Sequence, residues 1–268
     1  MSPVRFQHTD GWNETALLAL AKVEVEAFWD TRFMLLSQLM MPVAYFLFIA
    51  LPLSPVIPII SFMDRQVPYM DYVLVGLISM NMMSQMTRVI YRIAMDRQYG
   101  LFAQKRQCGV SSICYIMIMC ISSLMAYTLQ GGVFYGIVLL FSLHIDVISF
   151  LLIWVLGGLS FFFWGSIAAM IAVQISSYQT RDAVVSFVVV PLSFSAPAFY
   201  DLENAPVFVQ WLAQINPLTY QLQALREAAF GGLTAEAVLG VLGISVAFLG
   251  AAAWVVSCSP LISAGRGE

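Results

Sequence analysis

Side chains with the means to do covalent chemistry are scarce in this sequence. The two histidines, His8 and His144, lie in polar segments, and no Ser-His-Asp or metal-ligand set can be assembled around them. Cys108, Cys114, Cys120 and Cys258 lack metal spacing; three fall in or beside one apolar run and read as small buried hydrophobes. No G-x-x-x-x-G-K-[ST] phosphate loop occurs, and no polar stretch is long enough for a nucleotide-binding domain. Nor does a carboxylate or histidine fall in the middle of an apolar run, where an ion-coupled carrier would hold one. An enzyme is therefore disfavoured. What remains is hydrogen-bond and charge chemistry, concentrated in two places.

The first is the stretch from Ala183 to Glu227, an uncharged apolar run broken by Pro191 and Pro197 that meets no charge until Asp201. Each proline removes a backbone donor, so the carbonyls it frees in lipid must be met by neighbouring helices, side chains or water. Beyond it, Phe208, Trp211, Leu212 and Ile215 share one face of a short helix, which Asn216-Pro217 stops. A second helical pattern follows, with Leu218, Leu222 and Leu225 on one side and Arg226-Glu227 near its end. The simplest geometry is a span that reaches one face, dips back as a hairpin over 201–227, and returns.

The second is the basic cluster Arg88, Arg92, Arg97, Lys105 and Arg106. It follows an apolar segment made polar on one side by Asn81, Ser84, Gln85 and Thr87, a side that should meet protein or a cavity rather than lipid. The same segment carries Met80, Met82, Met83 and Met86, read as core or lipid packing ahead of an adaptable cargo surface.

These groups must be held by an apolar scaffold. The chain is 60% hydrophobic and 10% charged, with mean hydropathy +0.85, too few charges to cover a soluble domain of 268 residues. The fold class expected is an all-α integral membrane protein. An amphipathic helix over 14–32, with Leu18, Ala21, Val25, Phe28 and Trp29 near one face, lies on the membrane surface. Spans follow at 33–53, 72–89, 113–139, 147–173, 183–200 and 237–257, with the re-entrant hairpin between the fifth and sixth, all in one transmembrane domain over 1–268. Gly157, Gly158, Gly165 and Ala168 let the fourth span approach its neighbours closely, and Phe161, Phe162, Phe163 and Trp164 read as lipid-facing bulk. Met1 opens a polar, mixed-charge segment rather than a basic leader, so no cleavable signal is expected. With both ends inside, the cytoplasmic segments hold ten of the twelve Lys and Arg, and only Arg65 and Arg226 lie outside. That asymmetry favours six spans over five or seven.

The string SFSAPAFYDLENAP…WLAQINPLTYQLQALRE resembles the membrane subunits of type-2 ATP-binding-cassette (ABC) exporters. In that family an F-x-S-(G/A)-x-x-(F/Y) step closes the fifth span and precedes a proline, a tryptophan-bearing helix and an NPLTY-A-L-R signature. Phe194, Ser195, Ala196, Phe199, Tyr200, Pro206, Trp211, Asn216, Pro217, Leu218, Thr219, Tyr220, Leu225 and Arg226 match it here. The family's D-R-E-x-G-T-L-E coupling helix is matched at Asp96, Arg97 and Gly100, with Gln98, Leu101 and Ala103 departing from it.

The resemblance implies an ATPase-coupling loop of Arg92, Asp96, Arg97, Tyr99, Gly100, Lys105 and Arg106. It also implies a pathway and outer gate of Asn81, Gln85, Phe199, Tyr200, Trp211, Asn216, Pro217, Tyr220 and Arg226. Phe199, Tyr200, Trp211 and Tyr220 also fit an interfacial aromatic belt. The implied partners are an ABC ATPase subunit, a second permease chain and membrane lipid, with no nucleic acid. No cofactor is expected in this chain; ATP and Mg would sit on the ATPase subunit. The implied setting is a bacterial or archaeal cell membrane. With short outer loops, the cargo expected is amphipathic: a drug, lipid or lipid-linked glycan. An ion-coupled carrier and a non-transporting scaffold subunit are the alternatives.

Overall fold

Where proline falls inside an apolar helix, its ring collides with the carbonyl four residues earlier, and the backbone must widen to accommodate it. The computed structural model, which describes residues 14–30, 40–63, 65–175 and 177–259, shows this widening twice. A π-helical turn at Phe46–Ala50 precedes Pro52, and another at Val185–Val189 precedes Pro191. In each case the residue after the turn reaches back five positions, Leu51 to the Phe46 carbonyl and Val190 to the Val185 carbonyl. Two of the predicted spans are thus helices interrupted at prolines, not straight rods.

Helix α1 is Glu14–Asp30. Helix α2, Met40–Leu53, is the described part of the expected first span, whose predicted start at 33 lies outside the described residues, as does the end of the interfacial helix at 31 and 32. An antiparallel hairpin of β1 (Ile59–Phe62) and β2 (Arg65–Pro68) follows, pairing Ile60 with Val67. The all-α expectation omitted it: four-residue strands are too short for alternation to stand out. Helix α3 runs Tyr69–Gln98, well past the predicted end at 89. It tightens at Gln85, where the Arg88 N–H bonds the Gln85 carbonyl at 3.1 Å. Helix α4 is Leu101–Gln107, α5 Ser112–Leu140 and α6 Val147–Ala172.

Helix α7 occupies 178–195, earlier than the expected 183–200, because the chain leaves helix at Ala196 ahead of Pro197. Helices α8 (Val207–Ile215) and α9 (Pro217–Phe230) form the hairpin, and α10 is Ala235–Cys258. Asn216, Ser111, Asp146, Ser177 and Thr234 cap helix N-termini with their side chains. Among the described residues, α3, α5, α6 and α10 are long and apolar enough to cross a membrane.

Helix α6 is the hub, packed against α3, α5, α9 and α10. This overturns the lipid-facing reading of its aromatics: Phe161, Phe163 and Trp164 are buried in the core, and the Trp164 indole donates to Gln221 Oε1 on α9 at 2.6 Å. A Cβ on Gly157 or Gly165 would collide with Tyr127 or Cys120 of α5, so those small residues do admit a close neighbour. Met82, Met83 and Met86 are core residues.

Candidate functional site

The segment leaving α7 has no helical partners for its carbonyls, and side chains from α3 and α9 supply them. Tyr69 and Tyr72, in the first turn of α3, donate their hydroxyls to the Phe199 and Tyr200 carbonyls at 3.2 and 3.3 Å. The buried Arg226 guanidinium on α9 donates to the Pro197 carbonyl at 2.8 Å and the Ala198 carbonyl at 3.3 Å, and stacks 3.5 Å from the Tyr72 ring centroid. Asn216, also buried, gives its amide to the Leu192 carbonyl (2.8 Å) and Ser195 Oγ (2.9 Å) while its Oδ1 caps Leu218 N–H. Gly76 of α3 lies so close that a Cβ there would sit 2.4 Å from the Ala198 oxygen. The demand that the prolines create is met by protein, and the hairpin is fastened to α3.

Asn216→Ala removes an N-cap and two further bonds from a buried position, and should cost about 2 kcal/mol. Tyr220 is exposed and only ties its hydroxyl to the Gln214 carbonyl, so Tyr220→Phe should leave thermal unfolding unchanged. Equal effects of the two substitutions on the melting curve would contradict this ranking.

Not every residue expected along the pathway and outer gate converges there. Phe199 and Tyr200 line a cavity of about 820 Å³ with Phe194, Phe208 and Leu212, under the β1 strand. Pro217 opens α9 beside Asn216, and Trp211 is exposed on α8. Asn81 and Gln85 lie elsewhere, buried within the bundle; Gln85 donates to Gln130 Oε1 of α5 at 2.7 Å, and Ser123 donates to the Gln85 carbonyl at 3.4 Å. The polarity of this part of α3 serves its irregular turn and its contact with α5.

The basic cluster lies at the other end of α3; from Tyr72 to Asp96 is about 36 Å along a helix. There Arg92 grips Glu24 of α1 with two bonds, Nε to Oε2 at 3.1 Å and Nη2 to Oε1 at 2.5 Å. Lys105 pairs with Asp96 at 2.6 Å and approaches Glu24 at 3.9 Å, while the Tyr115 hydroxyl donates to Asp96 at 3.0 Å. Two carboxylates and two cations form a neutral, largely buried network. Arg106 donates to Ser112 Oγ at 2.6 Å, and Arg97 stacks over Phe102 at 5.6 Å. Arg92, Lys105 and Arg106 therefore bind their own protein.

The fully exposed residues of the tip are neutral, with Arg97 and Arg106 half-buried beside them. Met95, Gln98, Tyr99, Leu101 and Gln104 are exposed around Gly100, whose φ of 72° makes the tight turn between α3 and α4. Glu24 was missed by sequence reasoning, which set the apolar stripe of α1 against the membrane surface. Leu18 and Trp29 of that stripe are exposed, while Phe28 and Glu24 face the bundle.

The sequence matches the ABC-2 type transporter family over residues 15–230. It is 26% identical over 206 residues to the inner membrane transport permease YadH of Escherichia coli K12, covering 74% of this chain and 77% of that protein; the YadH of Shigella flexneri gives the same figures. The chain belongs to the ABC-2 type transporter family, as a multi-pass membrane subunit of a transport system.

Proposed function

We propose that the chain is the permease half of an export complex, working with a second permease chain and a pair of ATPase subunits that bind ATP and Mg. The observation that carries this reading is α3 itself. One helix is fastened to the proline-broken hairpin at its start and carries the α3–α4 tip at its end. Force applied at the tip would tilt a rigid element tied to the hairpin. In this reading six spans cross the membrane with both termini cytoplasmic, as the ten-to-two division of Lys and Arg favours. The hairpin then closes the outer end, and the cavity beneath it, lined by Phe194, Phe199 and Phe208, suits an amphipathic cargo moving outward.

The docking surface is the neutral tip, not the basic residues. Tyr99→Ala combined with Leu101→Ala should cut ATP-dependent transport about tenfold or more, as loss of two interface anchors does, while thermal stability stays at the wild-type value. Reconstitution with the cognate ATPase and a screen for cargo-stimulated hydrolysis provides the assay. Full stimulation in the double variant would refute the docking role.

A further inference from the structure

A second cavity, of about 520 Å³, lies between α9, α10 and α6; it shares no lining residue with the first cavity, though Pro217 and Tyr220 of the hairpin line it. Its walls are mostly apolar, with Phe163 from α6 and Gly240, Ile244 and Phe248 from α10, and its polar side is α9, where Glu227 is the one charged residue beside Tyr220, Gln221 and Gln223. Glu227 is only 6% exposed, and its Oε2 has no hydrogen-bond partner among the described residues. Its Oε1 holds one long bond, 3.3 Å, from the exposed Gln223 amide, a flexible cover that can swing aside. A carboxylate oxygen kept from water and left without a donor is costly, and an ammonium group is the ligand that would offset that cost.

The surroundings define the rest of the ligand. Ile244 and Phe248, on the cavity wall itself, are exposed on α10, a surface for lipid rather than water. Ala237 to Phe248 covers about 16 Å of helix, enough to lay an acyl chain against. Only four residues link α9 to α10, so Glu227 sits near the start of α10 and the apolar wall extends away from it. We propose that this cavity binds an aminophospholipid of the surrounding bilayer, its ammonium on Glu227 and one acyl chain along Gly240, Ile244 and Phe248. An anionic lipid without an amine would meet the carboxylate unfavourably.

The test is native mass spectrometry of the full chain released from vesicles of equal phosphatidylethanolamine and phosphatidylglycerol. Wild type should retain phosphatidylethanolamine about tenfold over phosphatidylglycerol, the scale of one charge-assisted contact. Glu227→Gln should abolish that preference. Gly240→Leu should lose the bound lipid altogether without a change in melting temperature, since a Cβ at Gly240 meets no atom within 4 Å. An unchanged preference in Glu227→Gln would overturn the assignment. So would bound lipid persisting in Gly240→Leu, or a site that takes dodecylammonium but no phosphatidylethanolamine. Because the readout is binding, it stands apart from any transport result.

Discussion

Arg226→Met is expected to lower thermal stability by about 3 kcal/mol, seen as a fall of roughly 8 °C in melting temperature in detergent. Two effects compete. Removing a buried cation relieves a desolvation cost, which is why replacing a whole buried ion pair by apolar groups is often harmless. Here, however, the partners cannot be removed: the Pro197 and Ala198 carbonyls belong to the backbone and remain, each losing its donor. Two unsatisfied carbonyls and a lost stack on Tyr72 outweigh the relief. Arg226→Lys should be intermediate, since an ammonium keeps the charge and one donor but not the planar fork. Proteolysis within 201–206 should rise in parallel, because the anchored segment leads directly into that loop. Gly76→Ala pushes on the Ala198 carbonyl from α3 and should expose the same loop by a different route. If Arg226→Met melts with wild type and resists protease equally, the hairpin is not held by this residue.

Much of the hairpin end could be read from composition and spacing, and the reason is local. Proline dictates a broken ladder wherever it falls, and Asn216-Pro217 dictates a stop and a new start within two residues. The need for donors was therefore visible; which donors was not. Arg226 lies 29 residues from Pro197, and Tyr72 lies 128 residues from Tyr200. No periodicity connects such pairs. The aromatic run at Phe161–Trp164 shows the same limit from the other side. Apolarity says that a residue avoids water, but not whether lipid or protein replaces it, and in the hub helix α6 the answer is protein.

The basic cluster gives the sharpest contrast. Five cations close together in sequence fit a solvated loop or a charged docking face, and both readings treat the charges as facing outward. Glu24, 68 residues before Arg92, changes their meaning. With Arg92 and Lys105 turned inward, the tip is free to be neutral, and Gln98 and Leu101, which depart from the acidic and hydroxyl residues of the family pattern, are the very positions that remain exposed. The carboxylate that neutralises Arg92 lies on α1, outside the loop.

This places α1 under a measurable constraint. Glu24→Ala should cost about 2 kcal/mol, below the 3–5 kcal/mol usual for breaking a buried pair, because Arg92 is 28% exposed and can recover some water. Arg92→Met alone should cost as much or more, since it leaves a carboxylate that is 1% exposed with only Lys105 at 3.9 Å to balance it. The double variant Glu24→Ala with Arg92→Met leaves neither charge unpaired and should recover at least half of the sum, a coupling of about 2 kcal/mol in a double-mutant cycle. The structural readout is α1 itself. Phe28 packs beside Ala126 of α5, and release of Glu24 should expose it, so a cysteine at Phe28 should label faster in Glu24→Ala than in an otherwise wild-type chain. Additive destabilisation by the two substitutions, with no change in labelling at Phe28, would mean that α1 is held by apolar packing alone and that the ionic network serves only α3 and α4. If the coupling is found, α1 and the tip are energetically linked through Lys105 and Glu24, and in the proposed reading a force at Tyr99 would have a second route beside α3.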